Sequence, residues 1–281
     1  MAGRRVSFLG AGLLVWATAT AVTSDPSRAR DSSYRARVLE EPPRSHREVH
    51  YTGVAYALDT DQIRYREEHW VFVDGAVLTR LVLYRCPGGQ PFARKWLHYV
   101  ADPWAPEFDF EDARDGYQEG VGEEKGRWRV YVRANATTAL RSTLMDRRMD
   151  VVIDAGFDAF VQSHWAALTH AEAVPATFIV PSRLDTLALV LKPMDTLTVG
   201  TRRFRLRLDG WLATLAPSVE LTYSEADHRL EQFTGLSNIR DERGRPQRVR
   251  IVFPAGAIES PVRRADVQVA AQIPLVSRCP P

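Results

Sequence analysis

The residues of this sequence most able to do chemistry are its two cysteines, Cys86 and Cys279. A catalytic thiol needs a neighbouring base and a lowered pKa, and the sequence places only Arg85 beside Cys86. A zinc site needs further cysteines or histidines at short spacing, which neither cysteine has. If the chain is exported, two cysteines favour a disulfide that pins the C-terminal tail. Two free thiols are the second alternative and a catalytic thiol is the third.

An acidic stretch between residues 107 and 115 could supply oxygen ligands for calcium. Its carboxylates are those of Glu107, Asp109, Glu111, Asp112 and Asp115. No register gives acids at positions 1, 3 and 5 of an EF-hand loop followed by glycine at position 6. We interpret the stretch as a solvated acidic loop, with weak calcium binding as the alternative, and predict neither a metal site nor a cofactor.

Two further segments suggest catalysis at first sight. His164 falls on an apolar helix face beside Trp165, where a hydrogen-bonded core histidine is commoner than a catalytic base. The segment 235–239 (GLSNI) resembles a nucleophile elbow, but it lacks the second glycine and leaves a strand for a turn. The sequence therefore identifies no catalytic residue.

The N-terminal segment is typical of a secretory signal. Arg4 and Arg5 precede the apolar run VSFLGAGLLVWATATAV, and small residues follow at the spacing that signal peptidases need. We predict a signal peptide over residues 1–22 and a periplasmic mature protein without a stable membrane anchor. An uncleaved single-pass anchor is the alternative. Residues 23–48 are polar, contain proline and lack periodicity, which predicts a disordered leader.

Charge argues against nucleic acid as a partner. The chain has 37 Lys+Arg and 35 Asp+Glu residues. Removal of Arg4 and Arg5 with the signal leaves 37 − 2 = 35 basic residues against 35 acidic ones. A neutral mature chain does not carry the basic footprint of a nucleic-acid-binding protein.

The pattern after Val49 predicts mostly strands. Asp74-Gly75 separates RYREEHWVFV from AVLTRLVLYRC, which predicts a hairpin with a type I′ turn. A second turn at 87–89 leads into PFARKWLHYV, whereas 102–126 is loop-like. Another strand pair follows between 127 and 145, and about six short strands follow between 176 and 254.

One amphipathic helix is predicted from Asp154 to His170, with Asp154 as its N-cap. Its apolar face consists of Phe157, Phe160, Val161, His164, Trp165 and Leu168. The predicted fold is mainly β or α+β: a long, curved, antiparallel, half-barrel-like sheet packed around this helix. Residues 49–256 form one β-rich domain, and 257–281 form a tail along the surface.

Several strings together resemble a family of uncharacterised exported proteins of Gram-negative bacteria. They are LYRCPGGQPFARK, ARDGYQEGV, VVIDAGFDAFVQSHW, FIVPSRLD and LTYSEADHRLEQFTGLSNIRDERGR. The resemblance covers most of residues 84–253 and implies no activity, because the family has none established. At the level of architecture only, the predicted fold also resembles periplasmic lipoprotein carriers and related lipid-binding half-barrels.

These features favour a non-catalytic periplasmic protein that binds a lipid or another hydrophobic ligand between sheet and helix. The predicted ligand-binding residues are Phe92, Trp96, Phe157, Phe160 and Trp165. An ordinary filled core is the simpler interpretation of the same residues. A hydrolase whose site is assembled by folding is one functional alternative. An outer-membrane β-barrel is another, although the predicted strands are shorter than such barrels need. The sequence does not show whether the protein has a protein partner.

Overall fold

A computed structural model describes residues 48–210, 218–255, 258–259 and 262–280. The predicted signal peptide and the predicted leader up to residue 47 lie outside these ranges. Of the helices within them, none has the length and apolar character that crossing a membrane requires.

The described residues form one large, curved, unclosed sheet, which confirms the predicted fold class. Its sixteen strands are β1 (Val49–Ala57), β2 (Ile63–Asp74), β3 (Val77–Arg85), β4 (Pro91–Tyr99), β5 (Glu107–Asp112), β6 (Tyr117–Glu124), β7 (Arg127–Arg133), β8 (Arg141–Met145), β9 (Val151–Ile153), β10 (Val174–Val180), β11 (Asp185–Met194), β12 (Thr201–Leu208), β13 (Val219–Ser224), β14 (Leu230–Arg240), β15 (Pro246–Val252) and β16 (Ile258–Glu259).

Strand β1 lies at the middle of the sheet because it pairs with both β2 and β15. A first arm runs outward from β2 to β8, and a second arm runs from β15 back to β9. The short strand β16 also pairs with β1. Each described pair is antiparallel except β9 with β10, because most consecutive strands are joined by short turns.

The end strand of the second arm is enclosed by the rest of the sheet. Val151 and Ile153 of β9 pack in a cluster with residues of the first arm, whereas Val152 packs among residues of the second arm. The backbone N–H of Ile153 donates to the carbonyl oxygen of Trp104 at 2.9 Å. The sheet is therefore rolled, and this edge is covered instead of being open to pairing with another chain.

Within the described residues, three short α-helices accompany the sheet: α1 (Gly156–Ser163), α2 (Trp165–Thr169) and α3 (Arg264–Gln272), with a 3₁₀ helix at Pro181–Arg183. The predicted single helix is thus two helices that meet at His164. Helix α1 begins against Trp104: a Cβ atom at Gly156 would lie 2.0 Å from the Trp104 carbonyl oxygen, so only glycine fits there.

The predicted N-cap role of Asp154 is wrong. Helix α1 has no side-chain cap, and Asp154 has a left-handed backbone with φ of 43°. Its carboxylate instead accepts hydrogen bonds from Lys95, a buried residue of β4. A buried ammonium group requires a counter-charge more than a helix end requires a cap, because water can satisfy exposed backbone N–H groups.

Two other local predictions need correction. The turn between β2 and β3 consists of Gly75 and Ala76, one residue later than predicted, because Asp74 still pairs with Val77. Gly75 alone of the two has a positive φ, of 60°. The predicted loop at 102–126 contains strands β5 and β6. The many acidic residues led to the prediction of a loop. In β5, however, acids alternate with Phe108 and Phe110, which point into the core as in a strand.

The predicted surface tail contains helix α3, which packs on the convex face of the first arm. Val267 and Ala270 of α3 share a buried cluster with Trp70 and Leu81. Beyond the helix, the structure places Cys279 Sγ 2.02 Å from Cys86 Sγ, which is disulfide bonding distance. The tail is therefore held to β4 and its neighbours by apolar packing and by the cysteine pair.

We predict that no free thiol is found in the mature, denatured but unreduced protein. The Cys86–Cys279 bond would close a loop with a sequence separation of 193 residues. Its reduction should therefore lower the free energy of unfolding by up to about 5 kcal/mol. Guanidinium unfolding with and without dithiothreitol measures this loss. The double variant Cys86→Ser/Cys279→Ser should not respond to dithiothreitol. Two titratable thiols per chain would contradict the prediction.

Candidate functional site

The concave side of the sheet, which we call the hollow, contains a buried ion pair. Lys95 Nζ lies 3.0 Å from Asp154 Oδ1 and 2.8 Å from Asp154 Oδ2. The two side chains are 7% and 8% exposed. Strand alternation points Lys95 inward between Ala93 and Leu97, which are both fully buried. A lysine at such a position is stable only when it is paired.

Further polar groups extend this ion pair across the hollow. Asn238 Nδ2 donates to Glu119 Oε1 at 2.7 Å and to Asp154 Oδ2 at 3.2 Å. The Tyr117 hydroxyl donates to Glu119 Oε2 at 2.7 Å. Burial raises the pKa of Glu119, and the Tyr117 hydrogen bond and the Lys95 charge oppose that rise. Asn238 is exposed and covers the buried groups on the solvent side.

Aromatic rings surround the ammonium group of Lys95. Nζ lies 5.7 Å from the ring centroids of Phe108 and Phe110 and 5.9 Å from that of Tyr84. The faces of these rings attract a cation, most strongly where water is excluded. The hydrogen-bonded network of Lys95, Asp154, Asn238 and Glu119 joins β4, β6, β14 and the segment just before α1. Its chemistry is that of a structural link between the two arms.

A second group of polar residues lies in a half-buried part of the hollow, which we call the Arg80 cleft. Strand alternation points Tyr51 (β1), Arg80 (β3) and Tyr99 (β4) onto the concave face. Helix α1 contributes Phe157 and Asp158. All five residues are partly exposed, so the cleft differs from the closed network around Lys95.

The charges of the cleft act on one another. Burial raises the pKa of Tyr51 to about 12, and the positive charge of Arg80 opposes this rise. Burial also raises the pKa of Tyr99 and of Asp158, again against the effect of Arg80. The Asp158 carboxylate accepts hydrogen bonds from the Tyr223 hydroxyl at 3.0 Å and from Gln162 Nε2 at 3.2 Å. The hydroxyl groups of Tyr51 and Tyr99 are therefore protonated at neutral pH and can donate hydrogen bonds.

A histidine with one unused nitrogen lies beside the cleft. His69 Nε2 lies 3.0 Å from Glu67 Oε2, and its ring stacks on Tyr51 with 4.4 Å between centroids. Burial lowers the pKa of His69, so the ring is neutral and Nε2 carries the proton that it donates to Glu67. His69 Nδ1 is buried and has no hydrogen-bond partner among the described residues. Phe253 approaches this stack, because Gly53 has no side chain that would collide with its ring.

The segments that suggested catalysis have structural contacts. The Ser237 hydroxyl lies 2.7 Å from that of Tyr65 and accepts from the backbone N–H of Ile239. His164 Nδ1 lies 2.9 Å from the Phe160 carbonyl oxygen, within the apolar helix contacts. In the described part of the chain, the base–acid pair of His69 and Glu67 has no serine, threonine or cysteine hydrogen-bonded to it.

Four of the five acids of 107–115 bind other side chains of the protein. Arginines bind three of them: Arg94 binds Glu111, Arg114 binds Asp112, and Arg240 binds Asp115. Tyr131 donates to Asp109. Across the described ranges, no group of three or more histidine, cysteine or acidic side chains is arranged to hold a metal ion.

The five predicted ligand-binding residues are not brought together around one space. Phe92 belongs to the cluster inside the first arm, under the guanidinium of Arg114. Trp96 lies on the convex face with helix α3. Phe157, Phe160 and Trp165 share the cluster between the helices and the second arm. Of the five, Phe157 alone belongs to the Arg80 cleft, through its neighbour Asp158, whose charge acts on Arg80. Trp165 is instead stacked on His228, with 3.9 Å between centroids.

Sequence reasoning missed the residues that define both polar regions. Lys95 and Arg80 stand in strands with basic residues on both faces, so their inward direction was not evident. The available signal was register: counting by two from the apolar Val82 reaches Arg80, and counting by two from Leu97 reaches Lys95.

A separate depression of about 390 Å³ lies at one end of the sheet, outside the hollow. It is lined by Ala57, Leu58, Asp59, Arg64, Asp241, Arg245, Gln247 and Arg248. Asp241 there is already bound by Arg245 at 2.8 Å. Its charged lining does not suit a hydrophobic ligand.

No protein-family model matches the sequence, and no curated protein is similar to it. Among solved structures, the chain is similar to a beta-barrel-like protein of domain of unknown function DUF1849 from Brucella abortus. The TM-score is 0.43 and the identity is 9%, over 75% of this chain and 100% of that chain. The site therefore rests on the residues of this chain alone.

We predict that Lys95→Met lowers the free energy of unfolding by about 3–5 kcal/mol, because it leaves the buried Asp154 carboxylate without its counter-charge. Lys95→Met/Asp154→Asn should be more stable than the single variant, since asparagine is neutral and tolerates a left-handed backbone. Urea unfolding at neutral pH measures both.

The matched control is the exposed pair of Arg202 and Glu225. Arg202→Met should cost less than about 1 kcal/mol, because exposed ion pairs contribute little. Equal costs for Lys95→Met and Arg202→Met would show that the Lys95 pair does not hold the arms together.

Proposed function

We propose that this protein is a non-catalytic periplasmic protein that binds a lipid or another hydrophobic ligand between the sheet and helix α1. The observation that carries the proposal is the Arg80 cleft, where partly exposed aromatic side chains of the sheet and of helix α1 accompany one arginine. Tyr51 and Tyr99 belong to the sheet, and Phe157 belongs to the helix, next to Asp158.

Neighbouring rings extend the aromatic surface. Phe233 lies 6.3 Å from Phe157, and Phe253 lies 6.1 Å from Tyr51, as ring centroids. Both rings are partly exposed, as the rings of the cleft are. Ligand sites are commonly concave and mostly apolar, with a few polar groups that fix orientation. The mixture of aromatic rings with Arg80 and tyrosine hydroxyls agrees with that composition.

The proposal predicts that Phe157→Ala weakens the binding of decanol or decanoate about tenfold. A buried aromatic side chain contributes on the order of 1.5–3 kcal/mol through the apolar area that it removes from water. Titration calorimetry on delipidated mature protein measures the dissociation constants. Native mass spectrometry of protein from its own periplasm should also detect a bound apolar ligand.

Trp96→Ala is the matched control, because it removes a partly buried aromatic ring from the convex face. Its binding constants should stay within about twofold of the unsubstituted protein. The proposal fails if the unsubstituted protein binds neither compound and no apolar ligand co-purifies with it.

Export is tested separately. We expect the mature chain to begin after cleavage between about Ala19 and Ser24, because small residues there suit a signal peptidase. N-terminal sequencing of protein from a periplasmic extract gives the answer. Recovery only from cytoplasm, or an intact Met1, would contradict the periplasmic assignment.

A further inference from the structure

We propose that Arg80 is an anion-binding residue, and that the ligand of the cleft is amphipathic, with a carboxylate or phosphate group on an apolar chain. The inference rests on the proposed function and specifies the chemistry of its ligand. It depends on the contrast between Arg80 and the other cations packed against the core.

Three other cationic side chains in or next to the first arm are at least half-buried, and each has a carboxylate partner. Lys95 binds Asp154 at 2.8 Å, Arg114 binds Asp112 at 2.7 Å, and Arg240 binds Asp115. Each of these pairs satisfies the charge within the protein. A half-buried cation without such a partner loses part of its hydration and gains no compensating contact.

Arg80 is the exception in this part of the fold. Its guanidinium makes no hydrogen bond or ion pair with the described residues, and its Nε atom is buried without a partner. The nearest aromatic contact is the ring of Tyr99, with its centroid 5.9 Å from Cζ. Asp158 is close enough for the two charges to interact, but both of its oxygens accept hydrogen bonds from other residues.

The surroundings suit the head of an anionic ligand. A guanidinium binds carboxylate and phosphate through parallel N–H donors. Tyr51 and Tyr99 keep their hydroxyl protons at neutral pH, because burial raises the pKa of both, so each can donate to an anion. Phe157, next to Asp158 on helix α1, is apolar and partly exposed, and we assign it to the chain of the ligand. An arginine without a hydrogen-bonded partner among aromatic rings therefore favours an amphipathic anion over a neutral or cationic ligand.

The test compares ligands that share a ten-carbon chain and differ in the head group: decanoate, decyl phosphate and decanol. Titration calorimetry on delipidated, full-length mature protein gives the dissociation constants. Arg80→Gln should weaken decanoate and decyl phosphate about tenfold to a hundredfold, as expected for the loss of a charge-assisted hydrogen bond. Binding of decanol should change less than about twofold.

Arg66→Gln is the control, because Arg66 is exposed on the opposite face of the neighbouring strand β2 and carries the same charge. It should leave all three constants unchanged. Arg80→Lys keeps the positive charge but loses the planar pair of N–H donors. Its affinity for the two anions should therefore lie between the affinities of the unsubstituted protein and of Arg80→Gln. This variant also provides a readout if Arg80→Gln does not fold.

The outcomes separate this inference from the function on which it rests. If the unsubstituted protein binds decanol and decanoate but the Arg80 variants weaken both equally, or neither, the anion-binding role is wrong and the hydrophobic site remains. If the unsubstituted protein binds none of the three compounds, the proposed function fails and the role of Arg80 fails with it.

Discussion

The rolled sheet depends on the buried pair of Lys95 and Asp154. Lys95 belongs to the first arm, and Asp154 follows β9, the enclosed end of the second arm. Asn238 adds β14, and through Glu119 it adds β6. Apolar packing alone is non-directional and would tolerate sliding between the arms. Hydrogen bonds at 2.7–3.2 Å among these four groups permit one arrangement, and they set where helix α1 begins.

This constraint explains why the strands were predictable and the interior was not. Alternation of apolar and polar residues is local, so β2, β3 and β4 were evident from short stretches, as was the fold class. The link from Lys95 to Asp154 spans 59 residues, and no local pattern reports it. Asp154 is a good helix cap by residue type, and only tertiary structure gives it a stronger partner. Sequence reasoning therefore placed the helix and misassigned its first residue.

The predicted ligand-binding residues show the same limit. Phe92, Trp96 and Phe157 were grouped because large apolar side chains near one helix suggest a common pocket. A strand, however, sends neighbouring side chains to opposite faces, so one residue of register decides whether a ring meets the hollow or the outside. Trp96 faces helix α3, in a segment predicted only as a tail along the surface. The presence of that helix could not be inferred from alternation, since its mean hydropathy is low and its partner surface is distant in sequence.

The two polar regions of the hollow differ in how their charges are satisfied. Around Lys95 the charges are paired, enclosed and saturated with hydrogen bonds, which suits a fixed link and leaves little for a ligand to contact. Around Arg80 the charge is partly exposed and has no direct partner among the described residues, which is unfavourable for stability alone. Asp154 lies just before helix α1 and Asp158 lies in its first turn, so the residue that anchors the start of α1 also positions Asp158 near Arg80. A ligand that bound there would stabilise the same arrangement of arms that the buried pair selects, because binding to the folded state alone shifts the unfolding equilibrium. Stability and the proposed binding would thus be coupled through the position of one short helix.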